Sequence, residues 1–171
     1  MSAIRFAVLE LLRLRGPVHG HALIRELHTM APDSAPSPGA LYGVINRLRG
    51  DGLISEENRT QVGRYPPRQE YANTPQGLVE LERLWTELWD TPATSRNSIG
   101  LALSSAGPDR MSGLAGMLDA RADLLQRSLG PARELRAGCS GSELAAHFRD
   151  SLQLGEVEWL RAAARGLSTC Q

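Results

Sequence analysis

The residues whose types and spacing could do chemistry gather in one short run, SPGALYGVINR, from Ser37 to Arg47. Ser37 before Pro38 reads as an N-cap with proline in the first helical turn, where a hydroxyl satisfies an orphan amide and the missing proline N–H costs nothing. The helix that follows buries Leu41, Val44, Ile45 and Leu48, spaced i, i+3, i+4 and i+7. Ala40, Tyr42, Gly43, Asn46 and Arg47 then lie toward the other side. Ala40 and Gly43 are small enough for close approach and contact with a thymine methyl, Asn46 suits an adenine edge, and Arg47 suits a guanine edge or a phosphate. Ser37, Pro38 and Gly39 stand at the positive end of the helix, fit for an anion, and Tyr42 has a hydroxyl to give to a phosphate. Arg59, Arg64, Tyr65 and Arg68 form a second group in a polar, turn-rich stretch, where arginines would follow a nucleic-acid backbone or probe a minor groove.

Other chemistries find little support. His19 and His21 flank Gly20, with His28 one helical face away, but no acidic or cysteine ligand stands at a matching spacing, so no metal is expected. No nucleophile is accompanied by a base and an orienting carboxylate, and no phosphate-cradling glycine loop occurs, so neither an enzyme nor a cofactor is expected. Cys139 and Cys170 are too few and too poorly spaced for a disulfide framework or a thiolate zinc site within one chain. Trp85 and Trp89 lie a turn apart, and Trp159 falls in the last helix. They read either as the core of a dimer interface or as a slot for a small planar aromatic effector.

The elements that must position these groups are legible from pattern. The 171 residues carry 19 basic and 19 acidic side chains, every basic one an arginine, with 42% apolar and 5% aromatic residues. Such a chain suits one domain or two small ones. No membrane span or secretory leader is expected, and a reducing cytoplasm is the expected setting. Zero net charge argues against a polycationic coat, although residues 1–78 hold nine arginines against seven acids. Ile4, Ala7, Val8, Leu11 and Leu12 mark a first helix with Arg5, Glu10 and Arg13 on its outer face; Leu23, Ile24 and Leu27 mark a second. After the third helix, LISE and QEYA read as a hairpin with a long tip. Thr74-Pro75 caps a helix carrying Leu78, Leu81, Leu84, Trp85, Leu88 and Trp89. Residues 91–106, rich in Thr, Ser, Ala and Gly, read as a connector with a docking patch at Ile99–Leu103. Gly107-Pro108-Asp109 restarts a helix, and Ser140 with Glu143 is a capping box opening the last one. The broad apolar stripes of these two helices predict burial against a second copy of the chain.

Three helices, a hairpin and a further helix make the layout of a winged helix-turn-helix. Residues 8–74 resemble the amino-terminal domain of PadR-family transcriptional regulators through VLELLRLRGPVHGHALIREL, SPGALYGVINRLRGDGLI, GRYPPRQEY and ANTPQG. Tyr65 interrupts the family's Gly-Arg-Pro-Pro wing pattern, and Asn73 departs from its usual motif before the following helix. The carboxy-terminal LDARADLLQRSL and LGEVEWLRAA resemble longer-tailed members, whose helices form a dimer. The resemblance also implies that His19-Gly20 is a structural turn opening the second helix, and that an aromatic or drug-like molecule could sit in a dimer cavity.

The expectation is therefore a mainly helical protein with a β-hairpin wing. Residues 1–77 form a winged DNA-binding domain, 78–107 a linking helix and connector, and 108–171 a helical dimerisation domain. It would act as a homodimeric transcriptional regulator, in the first instance a repressor, on a pseudo-palindromic double-stranded operator. The rivals are a winged module for protein interaction, mildly favoured by the neutral charge, and a ligand sensor without direct operator binding.

Overall fold

The computed structural model describes residues 2–33, 35–60, 68–130 and 138–168. Two compact units divide the chain, Met1–Pro108 and Asp109–Gln171. The first contains α1 (Ser2–Arg15), β1 (Val18–His19), α2 (Gly20–Met30), α3 (Pro38–Gly50), β2 (Ile54–Thr60), β3 (Arg68–Asn73), α4 (Pro75–Asp90) and α5 (Arg96–Ser105).

Helix α1 is the hub of this unit. Every residue from Phe6 to Leu12 is buried, because α3, α4 and α5 all pack on it. Glu10 was expected on the outer face and is instead fully buried. Its carboxylate accepts from the Arg13 guanidinium at 3.0 and 2.7 Å and from the Gly107 N–H at 3.0 Å. Periodicity correctly finds the apolar stripe of α1, but it cannot see that chain from residue 107 covers the opposite flank. A buried carboxylate needs such partners, since desolvating it alone would cost several kcal/mol.

The segment expected as a connector contains α5, a further correction. Ser95 caps it by accepting from the Ser98 N–H at 3.2 Å, and Ile99, Leu101 and Ala102 are buried. Both α4 and α5 pack against α1 inside the first unit. Phe6 stacks on Trp85 with ring centroids 5.1 Å apart, and Trp89 meets Trp85 edge-on at 5.3 Å.

The sheet is antiparallel in the order β1-β3-β2, one strand more than the expected hairpin. Val18 pairs with Tyr71 and His19 with Glu70, while β2 runs from Ile54 opposite Asn73 to Thr60 opposite Arg68, with an irregularity between Glu57 and Arg59. The foot of the hairpin is locked to α4. The Thr74 N–H donates to the Leu53 carbonyl at 3.0 Å, and its hydroxyl donates to the Gly52 carbonyl at 2.7 Å while accepting from the Gly77 N–H at 3.1 Å. Gly77 is required here, because a Cβ would sit 1.9 Å from the Leu53 carbonyl oxygen. Asn73 adds a tie to the hub, its side-chain N–H donating to the Leu9 carbonyl at 2.8 Å.

In the second unit a single helix was expected from residue 107. A 3-10 turn at Pro108–Met111 and a left-handed Gly113, at φ 80°, instead precede α6 (Leu114–Ser128). A long α7 (Gly141–Ser168) follows. Leu114, Leu118, Ala122 and Leu125 of α6 and Val157, Leu160 and Ala164 of α7 are buried where the two helices pack. The fully buried Arg121 meets Glu156 at 3.2 Å, and Gln153 donates to the Leu125 carbonyl at 2.9 Å. The capping box forms: Glu143 accepts from the Ser140 N–H at 2.7 Å and its own N–H reaches the Ser140 hydroxyl at 3.3 Å.

Candidate nucleic-acid interface

Helix α3 is built to present one face outward. Ser37 caps it, accepting from the Ala40 N–H at 3.3 Å, with Pro38 in the first turn. Leu41, Val44, Ile45 and Leu48 are buried, while Ala40, Asn46 and Arg47 are exposed and Tyr42 is 44% exposed. Gly43 is half-buried, yet a Cβ added there or at Gly39 would find nothing within 4 Å. The chain itself therefore does not require glycine at 43, a position where glycine costs about 1 kcal/mol relative to alanine. Its bare backbone leaves room for something from outside.

The carboxy-terminal end of α3 is fastened to the sheet. Arg49 pairs with Glu56 of β2, and that hydrogen bond and charge raise the pKa of the guanidinium. Arg5 bridges Asp51 at 3.3 Å and Glu80 at 3.5 Å, tying α1 to the end of α3 and to α4. Arg83 grips Glu80 and Glu87 at 2.7 Å each, which lowers the Glu80 carboxyl below its ordinary value and raises the arginine. These arginines hold the frame.

The wing group is only partly described. Arg59 and Arg68 have their backbones on β2 and β3, in register with Gln69 and Thr60 respectively. Arg64 and Tyr65 lie outside the described residues, as does Cys170. Cys139 is exposed just before α7.

The histidines are separated in role. His19 ends β1, with Nε2 3.4 Å from Glu70 Oε1 and Nδ1 3.4 Å from the Gln69 carbonyl oxygen, so it serves the sheet. His21 and His28 are exposed on α2. Among the described residues no group of three His, Cys, Asp or Glu side chains could hold a metal ion. Trp85 and Trp89 are brought together, 6% and 2% exposed, as packing within the first unit. Trp159, on α7 of the second unit, is 52% exposed.

Residues 8–83 match the family model for the transcriptional regulator PadR-like family. The winged unit is a PadR-like domain. The PadR-like family is one of transcriptional regulators and not of enzymes. The PadR-like match takes in α2, α3, the sheet and the first half of α4. The chain is also similar to the crystal structure of Bacillus subtilis PadR in complex with operator DNA, at 20% identity and a TM-score of 0.46, over 94% of this chain and 97% of that one. No curated protein matches the chain. Among the described residues no helix is long and apolar enough to cross a membrane.

Beside Tyr42 the PadR-like domain holds a feature that sequence reasoning missed, an open cleft of about 680 Å³ lined by His19, His21, Arg25, Tyr42, Gln69 and Tyr71. Its sequence signal is slight: His21 and Arg25 are spaced i and i+4 on the polar side of α2, a pattern shared by any solvated helix face.

Proposed function

We propose that this protein is a homodimeric transcriptional regulator that reads a pseudo-palindromic operator in the cytoplasm, with one α3 in the major groove of each half-site. The observation that carries this reading is the outward face of α3, where Ala40, Gly43, Asn46 and Arg47 stand together above a fully buried stripe. Small residues with one amide and one guanidinium are the chemistry of base-edge contact. In this reading Ser37 and Tyr42, at the end and flank of the helix, would take phosphates, and Arg59, Arg64, Tyr65 and Arg68 would be the cations of the wing contact. A chain of zero net charge needs its cations concentrated in this way.

Two-fold association is supported by α7. Leu144, Phe148, Leu152 and Trp159 are 41% to 62% exposed and recur at helical spacing along it. A stripe of this kind calls for a partner of the same kind, and a second copy supplies one through an isologous contact. Half-site centres would then lie roughly 34 Å apart, one turn of DNA. Binding would repress by excluding polymerase. Of the three tryptophans expected at an aromatic effector slot, Trp159 keeps an open ring, and in this reading an effector held at the dimer face meets that ring. It would release DNA only by as much as its affinity differs between bound and free arrangements.

The test is a fluorescence-anisotropy titration against DNA from the region upstream of its own reading frame, at several salt concentrations with scrambled competitor. Specific binding at two chains per site is expected, and Asn46→Ala and Arg47→Ala should each lose roughly 1–3 kcal/mol of discrimination. Binding that ignores sequence, or none at low salt, overturns the reading.

A further inference from the structure

Helix α7 carries two stripes on different sides. Val157, Leu160 and Ala164 are buried where α6 packs, and Gln153, Glu156 and Arg161 bond to residues of the same helix. The second stripe is Phe148, Leu152, Gly155, Trp159, Ala162 and Gly166, at spacings of 4, 3, 4, 3 and 4. At 3.6 residues per turn it runs along the far side from α6. Every one of these positions is exposed, with Phe148 at 62%, Leu152 at 41% and Trp159 at 52%. None is charged, although charged residues make up 22% of the chain. An uncharged stripe alternating by 4 and 3 is the seam of a coiled coil.

Bulk is distributed along this seam in a self-complementary order. Set against a reversed copy of itself and centred on residue 157, it places Phe148 opposite the partner's Gly166, Leu152 opposite the partner's Ala162 and Trp159 opposite the partner's Gly155. Each large side chain then meets a small one. The glycines serve nothing inside the chain, since a Cβ at Gly155 or Gly166 would find nothing within 4 Å, and glycine weakens a helix. A parallel pairing would stack Trp159 on Trp159 and Phe148 on Phe148 while leaving glycine against glycine. Crowded and empty layers both destabilise. The seam from 148 to 166 is about 27 Å long at 1.5 Å per residue. Covering half of the helix surface over that length takes roughly 500 Å² from each copy, about 1,000 Å² in all, which is what a specific interface needs.

We propose that α7 pairs antiparallel with α7 of a second copy, about a two-fold axis beside residue 157, each large seam residue seated over a small one of the partner. The proposal rests on the two-fold association put forward above and adds its register, direction and selectivity. A related helix with a side chain at the position of Gly155 has no room for Trp159, so the seam selects another copy of this chain. The two Trp159 residues lie about 6 Å apart along the helices, on either side of the axis, where an effector at the dimer face would meet both.

The test uses the full chain with Cys139→Ser and Cys170→Ser, spin-labelled at a single introduced cysteine and measured by pulsed electron resonance. Antiparallel pairing centred on residue 157 puts the two labels of Ser142→Cys about 45 Å apart, and those of Glu158→Cys under about 20 Å. Sedimentation equilibrium supplies a second arm. Gly155→Leu should weaken the dimer at least tenfold even though leucine is the better helix former. Adding Trp159→Ala should recover much of that loss, whereas adding Phe148→Ala should not. Far-ultraviolet spectra confirm that each variant keeps its helices. Short distances at both labels overturn the antiparallel register and leave a dimer. A wild-type dimer indifferent to Gly155→Leu overturns the seam and places the two-fold contact elsewhere. A wild-type monomer overturns both the seam and the two-fold association on which it rests.

Discussion

Replacing Gly43 by alanine should make the protein more stable and less able to bind DNA. The added Cβ meets nothing within 4 Å, so no strain offsets the gain in helix propensity, about 1 kcal/mol. By the usual size scaling for 171 residues that corresponds to a rise of about 3 °C in Tm. In the proposed operator complex the same methyl group would stand between the α3 backbone and the base edges. A helix seated closely in the major groove must then back away, and an affinity loss of about tenfold, roughly 1.4 kcal/mol, is expected. Differential scanning calorimetry and anisotropy on the same preparation read the two effects. A higher Tm with unchanged operator affinity would refute the assignment of this face to DNA. A lower Tm would refute the claim that the glycine serves nothing inside the protein.

Gly77→Ala should behave in the opposite sense: its Cβ would fall 1.9 Å from the Leu53 carbonyl oxygen, so a loss of about 3 kcal/mol or more is expected in urea unfolding. The Arg83–Glu80 pair should give stability that depends on pH. The hydrogen bond from Arg83 depresses the Glu80 carboxyl below its ordinary 4.5, so its contribution is present above that value and disappears as pH falls through the lowered one. The stability difference between wild type and Arg83→Gln should therefore shrink from pH 7 to pH 3, and a constant difference would disprove the linkage. Phe148→Glu, at a ring 62% exposed on α7, should leave the far-ultraviolet spectrum intact and yield monomers in analytical ultracentrifugation. Dimers that survive this change would remove α7 from the two-fold interface.

What the sequence reveals follows from where the physics is local. Ser37-Pro38 and Thr74-Pro75 announce α3 and α4 because cap and proline act within one turn, and both caps form. The stripe of α3 is equally plain, so the outward residues could be named in advance. β1 could not be read, since two residues become a strand only through Tyr71 and Glu70, more than fifty positions away. Helix α5 hides in a segment rich in Ser and Ala because its apolar patch is short and its burial is supplied by α1. Glu10 shows the same limit from the other side: a charge at an outward helical position reads as solvated until a distant amide arrives to bond it. The cleft beside Tyr42 was invisible because its walls come from α2, α3 and β3, which only the fold brings together.

The bond between Glu10 and the Gly107 N–H bears on how this protein could be divided. A piece ending at residue 77 would contain the helices and hairpin of the winged layout. It would also strip α1 of α4 and α5, exposing the flank beside Phe6 and leaving a desolvated carboxylate without its amide. The smallest segment that carries its own core therefore extends through Gly107. Recombination that exchanged carboxy-terminal units between chains of this kind would keep the winged unit intact only by joining after that residue, at the boundary near Pro108.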